Sequence, residues 1–140
     1  MKTAKVEYLG DLQTRATHIR SGQQIITDAP PDNNGKGSAF SPTDLASTSL
    51  ASCMLTVMGI AANTHKINIT GTYADVIKKM KDAPRRIGTI EVDVFMPDQP
   101  YTSKERTILE NAAKTCPVIR SLHPDLEEVI RFHWTETNEQ

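Results

Sequence analysis

The chain has 140 residues, of which 38% are hydrophobic and 24% are charged, and its formal net charge is -1. This length suits one domain with its own core, and the near-neutral charge gives no electrostatic reason to expect nucleic acid or an anionic membrane as a partner. The amino-terminal segment MKTAKVEYLG is charged and alternating, and no window approaches the roughly 20 apolar residues of a membrane span. We therefore expect a single domain over residues 1–140, located in the cytoplasm, with no membrane or nucleic-acid partner.

The first third of the chain alternates polar and apolar residues. AKVEYLG places Val6 and Tyr8 on one face of a strand, and QTRATHIRSGQQIITDA predicts two further strands separated by a turn at Ser21 and Gly22. PPDNNGKGSAFSP follows and is dense in Pro, Asn and Gly. We expect it to be a long polar loop, and a lid rather than a linker because a buried helix comes next.

A long helix is predicted after this loop. Ser41 suits the N-cap, Pro42 suits the first helical position, and Asp44 completes a capping box. From residue 45 to about residue 63, apolar and small residues lie on nearly every helical face, which is typical of a central, buried helix. Its Ala, Ser and Gly content would allow close approach of another helix, either from a second copy or from the same chain.

The second half of the chain predicts a hairpin, two helices and a last strand. KINITGTYADVIKKMKDAP and RRIGTIEVDVFMP alternate at period two around a turn at residues 82–84. The inward-facing residues of the second of these strands are Ile90, Val92 and Val94. TSKERTILENAAKT is an amphipathic helix capped by Thr102 or Ser103, PVIRSLH is a short helix, and EEVIRFHWTE is a strand. This order predicts an α+β fold with antiparallel sheets around the long buried helix.

The two cysteines are the candidates for chemistry. Cys53 lies inside the apolar helix, where a lone thiol is usually a small hydrophobic residue of the core. Cys116 precedes Pro117 and so occupies an N-cap position, where the helix dipole favours the thiolate. On local chemistry alone, Cys116 would be the nucleophile. In the cytosol a cysteine pair indicates redox chemistry or metal binding more often than a permanent disulfide.

Metal binding has little support from the spacing of possible ligands. The four histidines are scattered, and the sequence contains no Cys-x-x-Cys or His-x-x-x-His motif. A site assembled by the fold from Cys53, Cys116 and one histidine stays open, but we expect neither a metal nor another cofactor. Nothing resembles the nucleophile elbow of a hydrolase.

Two segments, SPTDLASTSLASC and CPVIRSL, together resemble the OsmC/Ohr family of thiol-dependent peroxidases, in a branch outside Ohr proper. The resemblance covers essentially the whole chain and implies an intertwined homodimer, with the long helices at its centre and two active sites at the subunit interface. It reverses the local assignment of the thiols, because the family pattern makes Cys53 peroxidatic and makes Cys116 the residue that resolves its sulfenic acid as a disulfide. The implied substrate is an organic hydroperoxide, and the implied reductant is an external thiol of the dithiol or dihydrolipoyl type.

The resemblance also implies an arginine at the site. In the family, an arginine from the amino-terminal strands stabilises the buried thiolate, and Arg20 in HIRSGQ occupies that place. A solvated charge at a strand end is the alternative for this residue. The peroxidase branches read Pro-Glu where this chain reads Pro42-Thr43-Asp44, so Thr43 stands at the position of the anionic partner. Asp44 would replace that partner only if the helix start were shifted.

Three interpretations therefore stay open at the level of sequence. The leading one is thiol-dependent reduction of organic hydroperoxides, with an apolar pocket lined by Met54, Leu55 or Met58. The second is a non-catalytic stress or small-molecule-binding protein of the same fold with structural thiols, which the Thr43 replacement favours. The third is a generic α+β dimer whose two buried thiols are inert.

Overall fold

The computed structural model describes residues 1–135, and the chain forms two compact units that divide between residues 46 and 47. The first unit contains strands β1 (Ala4–Gly10), β2 (Gln13–His18) and β3 (Gln24–Asp28) and a short 3-10 helix, Pro31–Asn33. Helix α1 (Pro42–His65) begins in the first unit and continues into the second. The remaining elements are β4 (Tyr73–Lys81), β5 (Arg86–Phe95), α2 (Ser103–Ala113), α3 (Pro117–Ser121) and β6 (Glu127–His133). The expectation of one domain over residues 1–140 stays a prediction.

The first sheet has the order β1-β2-β3 with antiparallel pairing, as the alternation predicts. The turn between β2 and β3 contains Gly22, whose φ of +78° is in the left-handed region that glycine adopts without strain. Val6, Tyr8 and Ile25 lie on one face of this sheet and remain 65%, 68% and 49% exposed. A large part of an apolar sheet face is therefore uncovered in the single chain.

The loop predicted as a lid is held to its own base by hydrogen bonds. The backbone N–H of Asp28 donates to the carbonyl of Phe40 at 3.0 Å, and the carboxylate of Asp28 accepts from both the backbone and the hydroxyl of Ser38. A Cβ added at Gly35 would lie 1.7 Å from the carbonyl oxygen of Ala29, so only glycine fits there. These contacts fix the two ends of the segment near the end of β3, and its role as a lid stays a prediction.

Helix α1 begins as the sequence predicts. The hydroxyl of Ser41 accepts from the backbone N–H of Asp44 at 3.0 Å, and the Asp44 carboxylate accepts from the backbone N–H of Ser41 at 3.0 Å. The prediction that nearly every face is buried is correct for one face only, because Ile60 is 61% exposed in the single chain. The residues of the buried face are Ser47, Leu50, Ala51, Met54, Met58 and Ala62.

The same helix also corrects the expectation about membrane spans. Within the described residues, α1 is the one helix whose length and apolar composition would allow it to cross a membrane. Core helices of globular proteins have the same composition, and Leu50, Met54 and Met58 of α1 are fully buried in the hydrophobic core of the second unit. The packing is therefore that of a core helix.

The second sheet has the order β4-β5-β6, and its last strand departs from the prediction. β4 and β5 form the predicted hairpin, and Ile90, Val92 and Val94 are fully buried as expected. β6 pairs with β5 in parallel, so the prediction of antiparallel sheets is wrong for this strand. The reason is that residues 96–126, which contain α2 and α3, form a crossover that brings the chain back in its original direction.

The limits of two predicted strands also change. The segment KINITGT, which the sequence assigned to the first hairpin strand, precedes β4, which begins at Tyr73. β6 ends at His133. The last residue of the predicted EEVIRFHWTE strand, Glu136, lies outside the described residues.

Charged side chains join the three strands of the second sheet on one face. The carboxylate of Glu91 pairs with Lys79 of β4 at 2.5 Å and with Arg131 of β6 at 2.7 Å. Asp93 pairs with Arg131 at 2.9 Å and with His133 at 2.8 Å. The hydrogen bond from His133 and then that from Arg131 hold the pKa of Asp93 below its ordinary value. The network therefore fastens the parallel strand β6 to the hairpin.

Helix α2 is fixed at its start and along its buried face. Thr102 is the N-cap and forms both hydrogen bonds of a capping box with Glu105. Of the two predicted capping residues, Thr102 and Ser103, the first is therefore the one that caps the helix. Leu109 and Ala113 are fully buried, as the amphipathic pattern predicts. The indole N–H of Trp134, just after β6, donates to Glu110 at 2.8 Å. α2 is thus tied to the chain segment that follows the last strand.

Candidate functional site

Cys53 and Cys116 belong to the same hydrophobic core of the second unit although 63 positions separate them in the sequence: Cys116 is a member of that core, and Cys53 packs against it. Both are free thiols. Cys53 projects from the middle of α1 and is half-buried, whereas Cys116 is the N-cap of α3 and is 0% exposed. The two cysteines are therefore one local pair within a predominantly apolar environment.

The electrostatics of Cys116 oppose its assignment as the nucleophile. Burial raises the pKa of the Cys116 thiol, and the neighbouring Cys53 side chain raises it further. The backbone N–H groups of Ile119 and Val118, at the start of α3, act in the opposite direction and lower it. The net pKa is raised, so Cys116 holds its proton more firmly than a free thiol does. The helix-terminus effect expected from sequence is present, but burial outweighs it.

The three residues predicted to line an apolar pocket lie in two different places. Met54 and Met58 are fully buried members of the hydrophobic core, whereas Cys53 itself packs at the edge of that core. Leu55 lines a separate cavity of about 380 Å³ at the carboxyl end of α1, together with Gly59 and residues 67–72. The sequence analysis missed this cavity. It is formed by a loop that was assigned to a strand, so no periodic signal could have indicated it.

The other predicted site residues belong to the first unit. Arg20 lies in the exposed turn between β2 and β3, and the imidazole of His18 is hydrogen-bonded across this turn to the Ser21 hydroxyl at 2.7 Å. Thr43 is in the first turn of α1, with its hydroxyl 3.3 Å from that of Ser41. Because α1 begins at Pro42 as predicted, Asp44 is a capping residue and no shifted helix start exists. Roles for Arg20, Thr43 and Asp44 at the thiol pair stay predictions.

A metal site is not apparent around the thiols. Across residues 1–135, no group of three or more His, Cys, Asp or Glu side chains is arranged to hold a metal ion. The assembled site of Cys53, Cys116 and one histidine is therefore not present in the described part of the chain. The arrangement suits thiol chemistry, because two free thiols belong to one apolar core.

Comparisons with known proteins bear on the family and the fold of the chain. Residues 35–128 match the family model described as OsmC-like protein. A solved structure from Psychrobacter arcticus 273-4, of a protein named for osmotic stress induction and a detoxification response, is 50% identical in sequence, with a TM-score of 0.90 over 95% of this chain and 96% of that one. A search of curated proteins found no significant match.

More distant solved structures share the fold. An OsmC-like protein from Mycoplasma pneumoniae has a TM-score of 0.79 at 18% identity, and the alignment covers 97% of this chain and 99% of that one. An organic hydroperoxide resistance protein from Legionella pneumophila has a TM-score of 0.73 at 13% identity, over 94% and 97% of the two chains. At these identities the likeness concerns the architecture of two small sheets and a long helix.

Proposed function

Since the chain belongs to the OsmC-like protein family, we propose that it reduces organic hydroperoxides with Cys53 and Cys116 as a redox pair. The observation that carries the proposal is that two free thiols from distant parts of the sequence lie at the same hydrophobic core. The name of the Legionella pneumophila protein of the same fold, organic hydroperoxide resistance protein, supports this substrate class.

The proposed cycle assigns a different step to each thiol. The thiolate of Cys53 attacks one oxygen of the hydroperoxide and the O–O bond breaks, which leaves a sulfenic acid on Cys53. The departing alkoxide takes a proton from water and becomes the alcohol of the substrate. Cys116 then attacks the oxidised sulfur, which forms the disulfide and releases water. An external thiol reductant, of the dithiol or dihydrolipoyl type, reduces the disulfide and is itself oxidised. Cys53 is suited to the first step because it is the more accessible of the two thiols.

The proposal includes two further residues that the family resemblance implies, Arg20 and Thr43. Arg20 stabilises the thiolate and orients the peroxide oxygens, since its guanidinium always carries a positive charge. Thr43 contributes a hydroxyl hydrogen bond where other family branches have a carboxylate. No metal or flavin is part of the cycle.

The active form that we propose is a cytoplasmic homodimer. The exposed apolar residues Val6, Tyr8 and Ile25 on one sheet face, and Ile60 on α1, support a second copy of the chain as the partner. Covering them would remove apolar surface from water, which is favourable by about 25 cal/mol per Å².

A second candidate function is binding of a small molecule without chemistry at the thiols. The cavity of about 380 Å³ beside Leu55 and Gly59 favours it, because that volume is within the range of small-ligand sites. The raised pKa of Cys116 also suits a structural thiol. This candidate predicts that a peroxide oxidises the protein no faster than it oxidises a free small thiol.

The deciding experiment is intact mass and thiol count of the reduced protein before and after one equivalent of cumene hydroperoxide. We expect wild type to lose about two mass units within seconds, because disulfide formation removes two hydrogens. Cys116→Ser should instead accumulate a sulfenic acid on Cys53 that a dimedone probe traps, and Cys53→Ser should not consume peroxide. Peroxide consumption by Cys53→Ser at the wild-type rate would overturn the proposal, and two intact thiols in wild type would favour the binding function.

A further inference from the structure

The cavity at the carboxyl end of α1 lies in the second unit, away from the thiols. Its volume is about 380 Å³, and its lining includes Leu55 and Gly59 of the helix and the segment 67–72 that follows the helix. In a helix of 3.6 residues per turn, Leu55 and Gly59 project about 200° and 240° around the axis from Cys53. The lining does not include Cys53. The proposed cycle therefore makes no use of this space.

We propose that this cavity binds an uncharged small molecule that carries an amide or hydroxyl group on a short apolar body. The inference gives a ligand class to the cavity of the second candidate function, and it rests on that function for the site alone. It holds whether or not the thiols react with peroxide.

The lining of the cavity selects against ions. Its residues are Leu, Ile, Ala, Gly, Asn and Thr, so every side chain in it is uncharged. An ion that entered would lose water of hydration without gaining an ion pair, which is unfavourable. Leu55, Ala62 and Ile67 instead offer an apolar wall to a hydrocarbon group.

Two polar side chains of the lining have hydrogen-bonding capacity left for a ligand. The Oδ1 atom of Asn68 accepts from the backbone N–H of Thr70 at 3.0 Å, which fixes the amide and leaves its N–H groups as donors. The hydroxyl of Thr72 donates to the carbonyl of Ile69 at 2.6 Å, which leaves its oxygen as an acceptor. A primary amide or a hydroxyl matches this pair, because each of them both donates and accepts.

The wall that carries these polar groups is held in place by the protein itself. The backbone N–H of Ile67 donates to the carbonyl of Ala62 at 2.8 Å, and the hydroxyl of Tyr101 donates to the carbonyl of Asn68 at 2.7 Å. Tyr101 is 3% exposed and belongs to the hydrophobic core, so the wall is anchored to that core. A preformed site loses less conformational entropy when a ligand binds.

Gly59 keeps the helix side of the cavity open. It lies in the interior of α1, where glycine is less favourable than alanine. Its backbone is not in the left-handed region, and an added Cβ would meet no atom within 4 Å beyond its own helix backbone and chain neighbours. Neither crowding nor backbone conformation within the described residues therefore requires glycine here. The effect of the missing side chain is more room for a ligand.

The test is titration of the reduced, full-length protein near pH 7 with benzamide, benzoate and benzylammonium, followed by ¹H–¹⁵N NMR. These probes share one ring, which the volume can hold because an apolar cavity of roughly 150 Å³ binds benzene. We expect benzamide to cause saturable shifts in the signals of Gly59, Asn68 and Gly71. Both ions should bind at least about tenfold more weakly, since neither finds a charged partner. Benzylammonium is the stricter control, because the carboxyl end of a helix attracts cations.

Four variants separate ligand binding from packing. Gly59→Leu fills the cavity and should weaken benzamide binding by more than about tenfold, since a packed site has no room for a ring. Thr56→Leu adds the same side chain at an exposed position of α1 outside the lining, and binding should stay within about twofold of wild type. Asn68→Asp keeps the acceptor for Thr70 but loses the N–H donors, so binding should weaken by about fivefold to tenfold. Gly59→Ala should raise the melting temperature by about 3 °C.

Four results would overturn the inference. The first is a benzamide titration without saturable shifts at Gly59 and Gly71, and the second is an ion that binds as tightly as benzamide. The third is a Gly59→Ala variant less stable than wild type, which would show that the glycine serves packing. The fourth is a Gly59→Leu variant that sediments as a monomer where wild type is a dimer, which would assign the space to a second copy of the chain. Circular dichroism confirms that each variant is folded.

Peroxide consumption is measured separately from benzamide binding. Benzamide binding without peroxide turnover rejects only the proposed thiol cycle, and turnover without benzamide binding rejects only this inference.

Discussion

The capping box at the start of α2 allows a sharp test of how local hydrogen bonds stabilise the fold. Thr102 is exposed, its hydroxyl accepts from the backbone N–H of Glu105 at 3.1 Å, and its own backbone N–H donates to the Glu105 carboxylate at 2.9 Å. Thr102→Ala removes the first bond and leaves the second, because alanine keeps the backbone N–H. No cavity forms at an exposed position, so the loss isolates one cap.

The expected loss follows from that single bond. Replacing a threonine N-cap by alanine costs about 1 kcal/mol, within a range of about 0.5–2 kcal/mol. For a chain of this length the melting temperature should fall by about 3 to 5 °C. Two matched controls bracket the effect. Thr102→Ser keeps the accepting oxygen, and Ser103→Ala alters the neighbouring exposed residue, so both should remain within about 0.5 kcal/mol of wild type.

Urea unfolding at one fixed protein concentration provides the measurement. Circular dichroism follows the whole chain, while fluorescence of Trp134, the single tryptophan, follows α2 because its indole donates to Glu110 of that helix. We expect both signals to shift together for Thr102→Ala. A Thr102→Ala variant as stable as wild type, or a Ser103→Ala variant that is the less stable of the two, would refute the assignment of the cap.

Two further predictions concern the sheet network and the core. Because the His133 and Arg131 contacts lower the pKa of Asp93 in the folded state, their stabilisation is fully present above the unfolded pKa of about 4 and is lost as pH falls through the lowered value. Urea unfolding between pH 3 and 7 should show this loss, and an equally steep decline in Asp93→Asn would contradict it. Leu50→Ala, at a fully buried position of α1, should lower the free energy of unfolding by about 2–5 kcal/mol, whereas Leu50→Met should cost less than about 1.5 kcal/mol. Comparable losses in the two Leu50 variants would argue against a close-packed core at this residue.

Local signals in the sequence were sufficient for most of the elements. The capping pattern of Ser41 and Asp44 predicted the first residue of α1 correctly, since the two capping partners lie within one turn of each other. Alternation placed the inward-facing residues of β5 correctly because a strand with one buried face has a period of two. The direction of β6 has no such signal. Alternation is the same in parallel and antiparallel strands, and only the crossover that precedes β6 decides between them.

The candidate site depended on information that is not local. Nothing in the 62 intervening residues indicates that Cys53 and Cys116 share one core, and only the resemblance to a family suggested it. The local argument also misjudged Cys116, because a helix terminus can be recognised from Pro117 whereas burial depends on distant residues. For the same reason, the pattern of α1 could not show which of its faces the chain itself would cover.

The parallel pairing of β6 has a consequence for the order in which this protein folds. The β4–β5 hairpin needs only a short turn, but β6 reaches its partner after closure of a loop of residues 96–126, which is slower because more chain entropy is lost first. Cys116 lies on that loop, so its meeting with Cys53 belongs to the same late event. A newly made chain therefore passes through a stage in which Cys53 is present without its partner thiol, and an oxidant that arrives then would find a cysteine that cannot yet be resolved.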